Sequence, residues 1–284
     1  MSDSTIPGYL ASATEIASVL ITAGIDAVMP PACVLCAGAE STDFHVATQG
    51  GDTPQFHRET HFLCKLCEHA IQNSWPSRSV PCRFCGMPRP ADQVTPHELR
   101  CGSCPESGFA FDDVIVLGIY QQAVREAVVA TKLARHASLA AALGRLLGEL
   151  VSKKVSETPV DLITYVPAHF WRRMQRRSMG GVAVMASEVA KRLSQPVEPI
   201  VRLTRPVKKQ SMLPDSERAA NVRGAFALKK SYAWQAPRII NEQHIMLVDD
   251  VLTTGSTASE IARILKAAGA ARVTLAVVAR AVRR

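Results

Sequence analysis

No run of eighteen or more apolar residues occurs in this 284-residue sequence, so no membrane-spanning helix is expected. Residues 1–28 hold Asp3 and Glu15 but no Lys or Arg, so the basic start of a secretory signal is missing and a cytoplasmic location is expected. Aromatic side chains make up only 5% of the chain, which leaves few platforms for stacking on bases. Cysteine is absent outside one 72-residue window, where all eight occur. What remains is an ordinary globular composition, 47% hydrophobic, long enough for one mid-sized α/β domain and a smaller module.

The net charge of +8 is unevenly spread. Residues 1–104 carry 6 Lys/Arg against 10 Asp/Glu, whereas residues 105–284 carry 27 against 15, a net +12. A surface of that sign attracts polyphosphates or nucleic acid by steering and counterion release, although it also serves solubility.

The cysteines form four Cys-x-x-Cys pairs: Cys33/Cys36, Cys64/Cys67, Cys82/Cys85 and Cys101/Cys104. Such a pair presents two thiolates to one metal, and two pairs complete a closed tetrahedral zinc site. The fifteen residues between Cys85 and Cys101 have zinc-ribbon spacing, while the twenty-seven between Cys36 and Cys64 read as an inserted loop rich in Gly and polar residues. Disulfides would need an oxidising compartment that nothing here indicates. Two structural zinc ions are expected. Pairing in sequence order is favoured over an interleaved arrangement because each site then closes a shorter loop. His57, His61, His69 and His97 are nearby but are not needed as ligands.

Residues 245–257 read Ile-Met-Leu-Val-Asp-Asp-Val-Leu-Thr-Thr-Gly-Ser-Thr. An apolar run typical of a buried parallel strand ends in two carboxylates, then a Thr/Gly/Ser loop leads into a helix. Thr257 and Glu260 have capping-box spacing at the helix start, Ile261, Ile264, Leu265 and Ala268 share an apolar face, and Gly269 is a stop signal. With the strand predicted at 273–278, residues 245–279 form one βαβ unit whose ligand site lies beyond the carboxyl end of its first strand. Backbone N–H groups at a helix N-terminus seat a phosphate, and an acidic pair accepts hydrogen bonds from a vicinal diol. Together they suggest a phosphorylated pentose.

These residues resemble the phosphoribosyl-pyrophosphate (PRPP) signature of type I phosphoribosyltransferases. The resemblance implies that Asp249 and Asp250 hold the ribose hydroxyls, and that Thr253, Thr254, Gly255, Ser256 and Thr257 wrap the 5′-phosphate. Relatives that salvage 6-oxopurines have an Asp where this chain has Thr253, which takes no proton at neutral pH. Hypoxanthine or guanine salvage is therefore not expected.

The middle of the chain adds strands at 114–120 and 160–166 and helices at 121–135, 138–151 and 182–193. After the second of these strands come Pro167-Ala168-His169, Phe170, Trp171 and a basic cluster of Arg172, Arg173, Arg176 and Arg177. A basic cluster at a strand end is a candidate pyrophosphate contact, or an exposed basic helix start. Residues 204–224 are polar and cationic, and Pro206 and Pro214 argue against one continuous helix, so the segment reads as a flap. Flaps of this kind in orotate-type transferases carry a leaving-group lysine, a role that Lys208 or Lys209 could fill.

The whole chain resembles the ComF family of competence-associated, phosphoribosyltransferase-like bacterial proteins. The resemblance rests on Pro31-x-Cys33-x-x-Cys36 and the later cysteine pairs, and on a Tyr-containing strand followed by a helix with Lys132. It also rests on Val166-Pro167-x-His169, Gln210, Glu217-Arg218-x-x-Asn221-Val222-x-Gly224-x-Phe226 and Val248-Asp249-Asp250-Val251. Residues 177–181, Arg-Ser-Met-Gly-Gly, depart from the usual Arg-Gly-Phe-Asn-Gln.

The expected fold is therefore α/β: a type I phosphoribosyltransferase-like parallel sheet flanked by helices, at 109–284. A double zinc-ribbon module at 29–108 and a short amphipathic helix within 1–28 precede it. The resemblance implies Mg²⁺ with PRPP or a related sugar phosphate at Asp249, Asp250, 253–257, His169 and Arg173, with Lys208 or Lys209 assisting catalysis. It implies single-stranded DNA and the competence helicase or uptake machinery as partners, with Trp171, Arg172, Arg176 and Arg177 as nucleic-acid candidates. A non-catalytic DNA-binding module on the same fold is the alternative.

Overall fold

The computed structural model describes residues 32–38, 63–93, 100–132, 137–155, 158–167, 180–207 and 215–282. The expected helix within 1–28 and the insertion between Cys36 and Cys64 lie outside these residues. The chain separates into two compact units, Met1–Cys64 and Lys65–Arg284. In the first, the described residues form a knuckle: Ala37 N donates to Cys33 O and Cys33 N to Gly38 O.

The second unit begins with α1 (Lys65–Gln72) and an antiparallel hairpin of β1 (Ser79–Pro81) and β2 (Pro88–Pro90). Next come β3 (Asp113–Ile119), α2 (Gln122–Ala130), α3 (Ala137–Lys154), β4 (Leu162–Tyr165) and α4 (Gly181–Leu193). A second hairpin follows, of β5 (Val201–Leu203) and β6 (Phe226–Leu228), with α5 (Asp215–Val222) in its connection. Two single-turn helices, α6 (Lys230–Ala233) and α7 (Ala236–Ile239), lead to β7 (His244–Leu252), α8 (Ser256–Ala267) and β8 (Arg272–Arg280). The predicted βαβ unit is thus present within a residue or two at each end.

The main sheet has the order β3-β8-β7-β4, and every neighbouring pair is parallel. Its two central strands are covered on both faces, which is why 245–248 and 273–278 are uninterrupted apolar runs apart from Thr274. Ile245, Leu247, Val273, Leu275 and Val277 join one core with Ala258, Ile261, Ala262 and Leu265 of α8 and with residues of the β5–β6 hairpin. The period of two sends Met246, Val248, Ala276 and Val278, all fully buried, to the other face. Helices α3 and α4 pack tightly against each other. Their closeness depends on Gly144, where a Cβ would come 2.7 Å from the Cα of Met185.

The outer edge of β3 is blunted by the segment that precedes it. Val114 N donates to Arg83 O (2.8 Å), Trp75 Nε1 to Leu117 O (3.0 Å) and Ile119 N to Ser74 Oγ (3.1 Å). Unpaired edge groups that would invite another strand are thereby occupied. All four strands run the same way, so their carboxyl ends lie together, and the acidic pair sits there.

Candidate functional site

Strand β7 ends with Asp249, Asp250, Val251 and Leu252, and residues 253–255 turn the chain into α8. The turn depends on Gly255, which caps the helix in the left-handed region at φ 80°. A side chain there would be strained at this φ and would displace Phe109, because a Cβ would lie 2.5 Å from Cε1 of that ring. Thr254 Oγ1 and Ser256 Oγ are 3.0 Å apart, and Ser259 N closes the first helical turn on Gly255 O (2.8 Å). The N-terminus of a twelve-residue helix therefore opens beside two carboxylates, with hydroxyls of Thr253, Thr254, Ser256 and Thr257 around it.

The helix starts earlier than the capping-box spacing implies, with Gly255 and not Thr257 as its N-cap. Glu260 instead accepts a bond from Gly224 N (2.9 Å) and pairs with Arg263, which holds its carboxyl below the usual range. Glu260 is thus tied to the base of the 204–224 segment. Its other fastenings are Thr204 N to Ala225 O (2.8 Å) and Arg205 Nη2 to the carbonyls of Asn221 (3.1 Å) and Arg223 (2.9 Å).

Asp249 and Asp250 are electrostatically frustrated. Burial pushes the Asp249 carboxyl well above the ordinary carboxylate range, and the charge of Asp250 pushes further the same way. The Asp250 N–H bonded to Asp249 Oδ1 (2.8 Å) and the charge of Lys132 only partly oppose this. Two adjacent acids that have no ion pair among the described residues, next to a helix N-terminus, suit a ligand that brings hydroxyl donors, a cation and a phosphate together.

His169, Trp171, Arg172, Arg173, Arg176, Arg177, Lys208 and Lys209 lie outside the described residues. The structure places only their flanks: β4 ends at Tyr165, next to β7, and α4 begins at Gly181.

The eight sulfurs gather as Cys33/Cys36/Cys64/Cys67 and Cys82/Cys85/Cys101/Cys104, each set within 4.8 Å of one another. This is the sequence-order pairing. Four sulfurs at about 2.3 Å from one zinc lie roughly 3.8 Å apart. The observed separations are 3.7 Å for Cys36–Cys64, 3.7 Å for Cys82–Cys104, 3.8 Å for Cys101–Cys104 and 3.3 Å for Cys85–Cys101. Both sets could therefore hold structural zinc. Burial alone would raise Cys33 and Cys82, but converging backbone N–H groups outweigh it and bring each to about 7. Burial pushes Cys85 up, and Cys104 up to about 11. A metal that binds these sets displaces the remaining thiol protons.

Three residues near the site were not singled out as site residues from the sequence. Phe109 stacks on Phe111 (ring centroids 4.6 Å apart) and packs on Gly255. Lys132, at the end of α2, acts on Asp249 through its charge. Arg280, the last residue of β8, is buried and donates to the carbonyls of Cys85, Leu252, Thr253 and Ala281. Its sequence signal was weak but present: it is a lone cation ending an apolar strand.

Residues 179–284 match the family model described as the phosphoribosyl transferase domain. The DNA utilization protein YhgH of Salmonella typhi is 30% identical over 217 residues, which cover 74% of this chain and 87% of that protein. Competence protein F of Haemophilus influenzae is 25% identical over 256 residues, covering 88% and 96%. Among solved structures, the glutamine PRPP amidotransferase from B. subtilis covers 49% of this chain and 26% of its own, at 21% identity and a TM-score of 0.32. A likeness that distant carries no argument about this site.

Proposed function

The chain belongs to the ComF family, and from that premise we propose that it binds Mg²⁺–PRPP at the carboxyl end of its sheet and serves the handling of imported or external DNA. The observation that carries the first half is the juxtaposition of Asp249, Asp250 and the open N-terminus of α8 across the 253–257 turn. In this reading Asp249 and Asp250 accept hydrogen bonds from the ribose hydroxyls, which relieves their mutual repulsion. The N–H groups and hydroxyls of 253–257 hold the 5′-phosphate. His169 and Arg173 would contact the pyrophosphate, and Lys208 or Lys209 would assist its departure. Mg²⁺ would supply charge neutralisation on the pyrophosphate oxygens. Catalysis would come from positioning and from stabilising positive charge at the anomeric carbon.

The reading includes a cytoplasmic location and a division into a helix at 1–28, a double zinc-binding module at 29–108 and the sugar-phosphate domain at 109–284. Calorimetric titration of Mg²⁺–PRPP into zinc-loaded protein tests it. Saturable binding is expected, lost in the Asp249→Asn/Asp250→Asn double variant while that variant keeps its zinc and its circular dichroism. Failure of folded wild-type protein to bind would overturn it.

The net +12 over residues 105–284 and the names of the relatives favour a second, compatible reading. Here the protein contacts single-stranded DNA through Trp171, Arg172, Arg176 and Arg177 and meets the competence helicase or uptake machinery. Binding of a single-stranded oligonucleotide would then weaken steeply with salt, and Trp171→Ala would reduce it about tenfold, as loss of one stacking platform does. Affinity insensitive to both would refute this second reading.

A further inference from the structure

We propose that Arg280 is a positioning residue that ties the 252–257 turn to the second cysteine cluster, so that the order of this turn depends on metal in that cluster. Its guanidinium bridges two loops that are far apart in sequence. Nε donates to Cys85 O (2.8 Å), the carbonyl of a cluster cysteine, and Nη1 donates to Leu252 O (2.9 Å), Ala281 O (2.7 Å) and Thr253 O. Arg280 is only 8% exposed, and Cys85 and Leu252 are 1% and 3% exposed, so the carbonyls of those two residues have little water to replace a lost donor. A fully deprotonated Cys₄ zinc centre carries net negative charge, and Arg280 is a buried cation beside it.

The knuckle is seated to make this bridge. A Cβ on Gly86 would lie 3.4 Å from Arg280 Cδ and 2.7 Å from Val116, so the turn after Cys85 rests directly on the arginine and on β3. A second strut runs from the other side of the same cluster. Phe109, five residues after Cys104, packs its ring on Gly255, and Ala110 N donates to Ser259 Oγ (3.0 Å) in the first turn of α8. Loss of the metal frees the knuckles at 82–87 and 101–104, and with them the fixed anchor of Cys85 O. Arg280 then holds the turn 252–257 from one side only, and the exit from β7 keeps the bond from Ala281 N to Leu252 O (2.9 Å) but loses its fixed link to the cluster. Only the expected consequence for PRPP affinity rests on the function proposed above.

Hydrogen exchange on the full-length chain tests this without requiring a ligand. In zinc-loaded Arg280→Gln, amides of 252–257 should exchange about tenfold faster than wild type, while those of 245–248 and 273–278 keep their protection. Zinc content should stay at the wild-type value. Chelating zinc from wild type should loosen the same turn, and chelating it from Arg280→Gln should add little, because the route is already cut. Arg280→Lys keeps the charge but lacks the planar fork, so it should behave like Gln. Unchanged turn exchange in zinc-loaded Arg280→Gln, or full rescue by Lys, would overturn the proposal. So would equal loosening by chelation in both proteins. Where chelation unfolds the whole unit, seen as lost protection at 273–278, the zinc-loaded comparison decides alone. Mg²⁺–PRPP affinity should fall about tenfold in Arg280→Gln, in step with the exchange. A wild type that binds no PRPP sinks the proposed function and leaves the exchange result standing.

Discussion

Two pairs of adjacent aspartates lie at opposite ends of the same sheet, and they are treated in opposite ways. At the amino end, Asp113 opens β3 and receives both Arg83 and Arg272, the latter through Nε at 2.9 Å. Its neighbour Asp112 takes Lys266 (2.8 Å) and Val273 N (2.7 Å). Although burial opposes it, the two guanidiniums hold the Asp113 carboxyl below its ordinary range. At the carboxyl end, Asp249 faces Asp250 with one backbone N–H and the field of Lys132, and its carboxyl is held well above that range. The same dipeptide is therefore a fastening in one place and, among the described residues, without an ion pair in the other. The surrounding cations make the difference.

Replacing Asp249 and Asp250 together with Asn should lower Mg²⁺–PRPP affinity by at least about a hundredfold in calorimetry, as loss of two charge-assisted contacts does. The Tm should hold or rise, because a like-charge pair is removed. Asp113→Asn should do the reverse. It should cost about 2 kcal/mol in urea unfolding, less than the 3–5 expected of a fully buried pair because the Arg83 side chain is 66% exposed. Its effect on PRPP affinity should be slight.

Acidity separates the two ends further. The Asp113 carboxyl is depressed, so its stabilisation is present above the ordinary value of 3.8 and disappears as pH falls through its folded pKa. Asp249 is raised, so its penalty is absent below 3.8 and grows until pH has passed its elevated folded pKa. The Tm gain of Asp249→Asn should accordingly be present at pH 7 and vanish near pH 4, while the Tm loss of Asp113→Asn shrinks only below 3.8. Equal gains at both pH values would show that Asp249 is not raised. The smallest effect is expected at Glu260→Gln, which weakens the bond to Gly224 N and the pair with Arg263. It should cost about 0.5–1 kcal/mol, measurable as a small shift in urea midpoint.

Much of this was legible from local pattern. The βαβ unit of β7, α8 and β8 follows from apolar runs, a Gly/Thr turn and one amphipathic face. The pairing of cysteines follows from spacing, since a closed site favours short loops. The helix start was legible only roughly. Thr257 and Glu260 have the right spacing for a capping box, but Gly224, thirty-six residues earlier, competes for the carboxylate. Phe109 was not legible as a site residue, and Arg280 only weakly, because their roles depend on partners 146 and 195 positions away in the chain.

By itself, the sequence determined the chemistry on offer: eight thiols in four knuckles, two acids at a strand end, and a small-residue turn entering a helix. Those properties are set by residue type and by spacing of a few positions, where backbone geometry leaves little choice. Tertiary structure alone decided which acid pair is neutralised, what Glu260 holds, and that a cluster cysteine and the turn after β7 share one arginine. Each of these depends on which distant groups desolvate and charge the same small volume, and no local pattern encodes that.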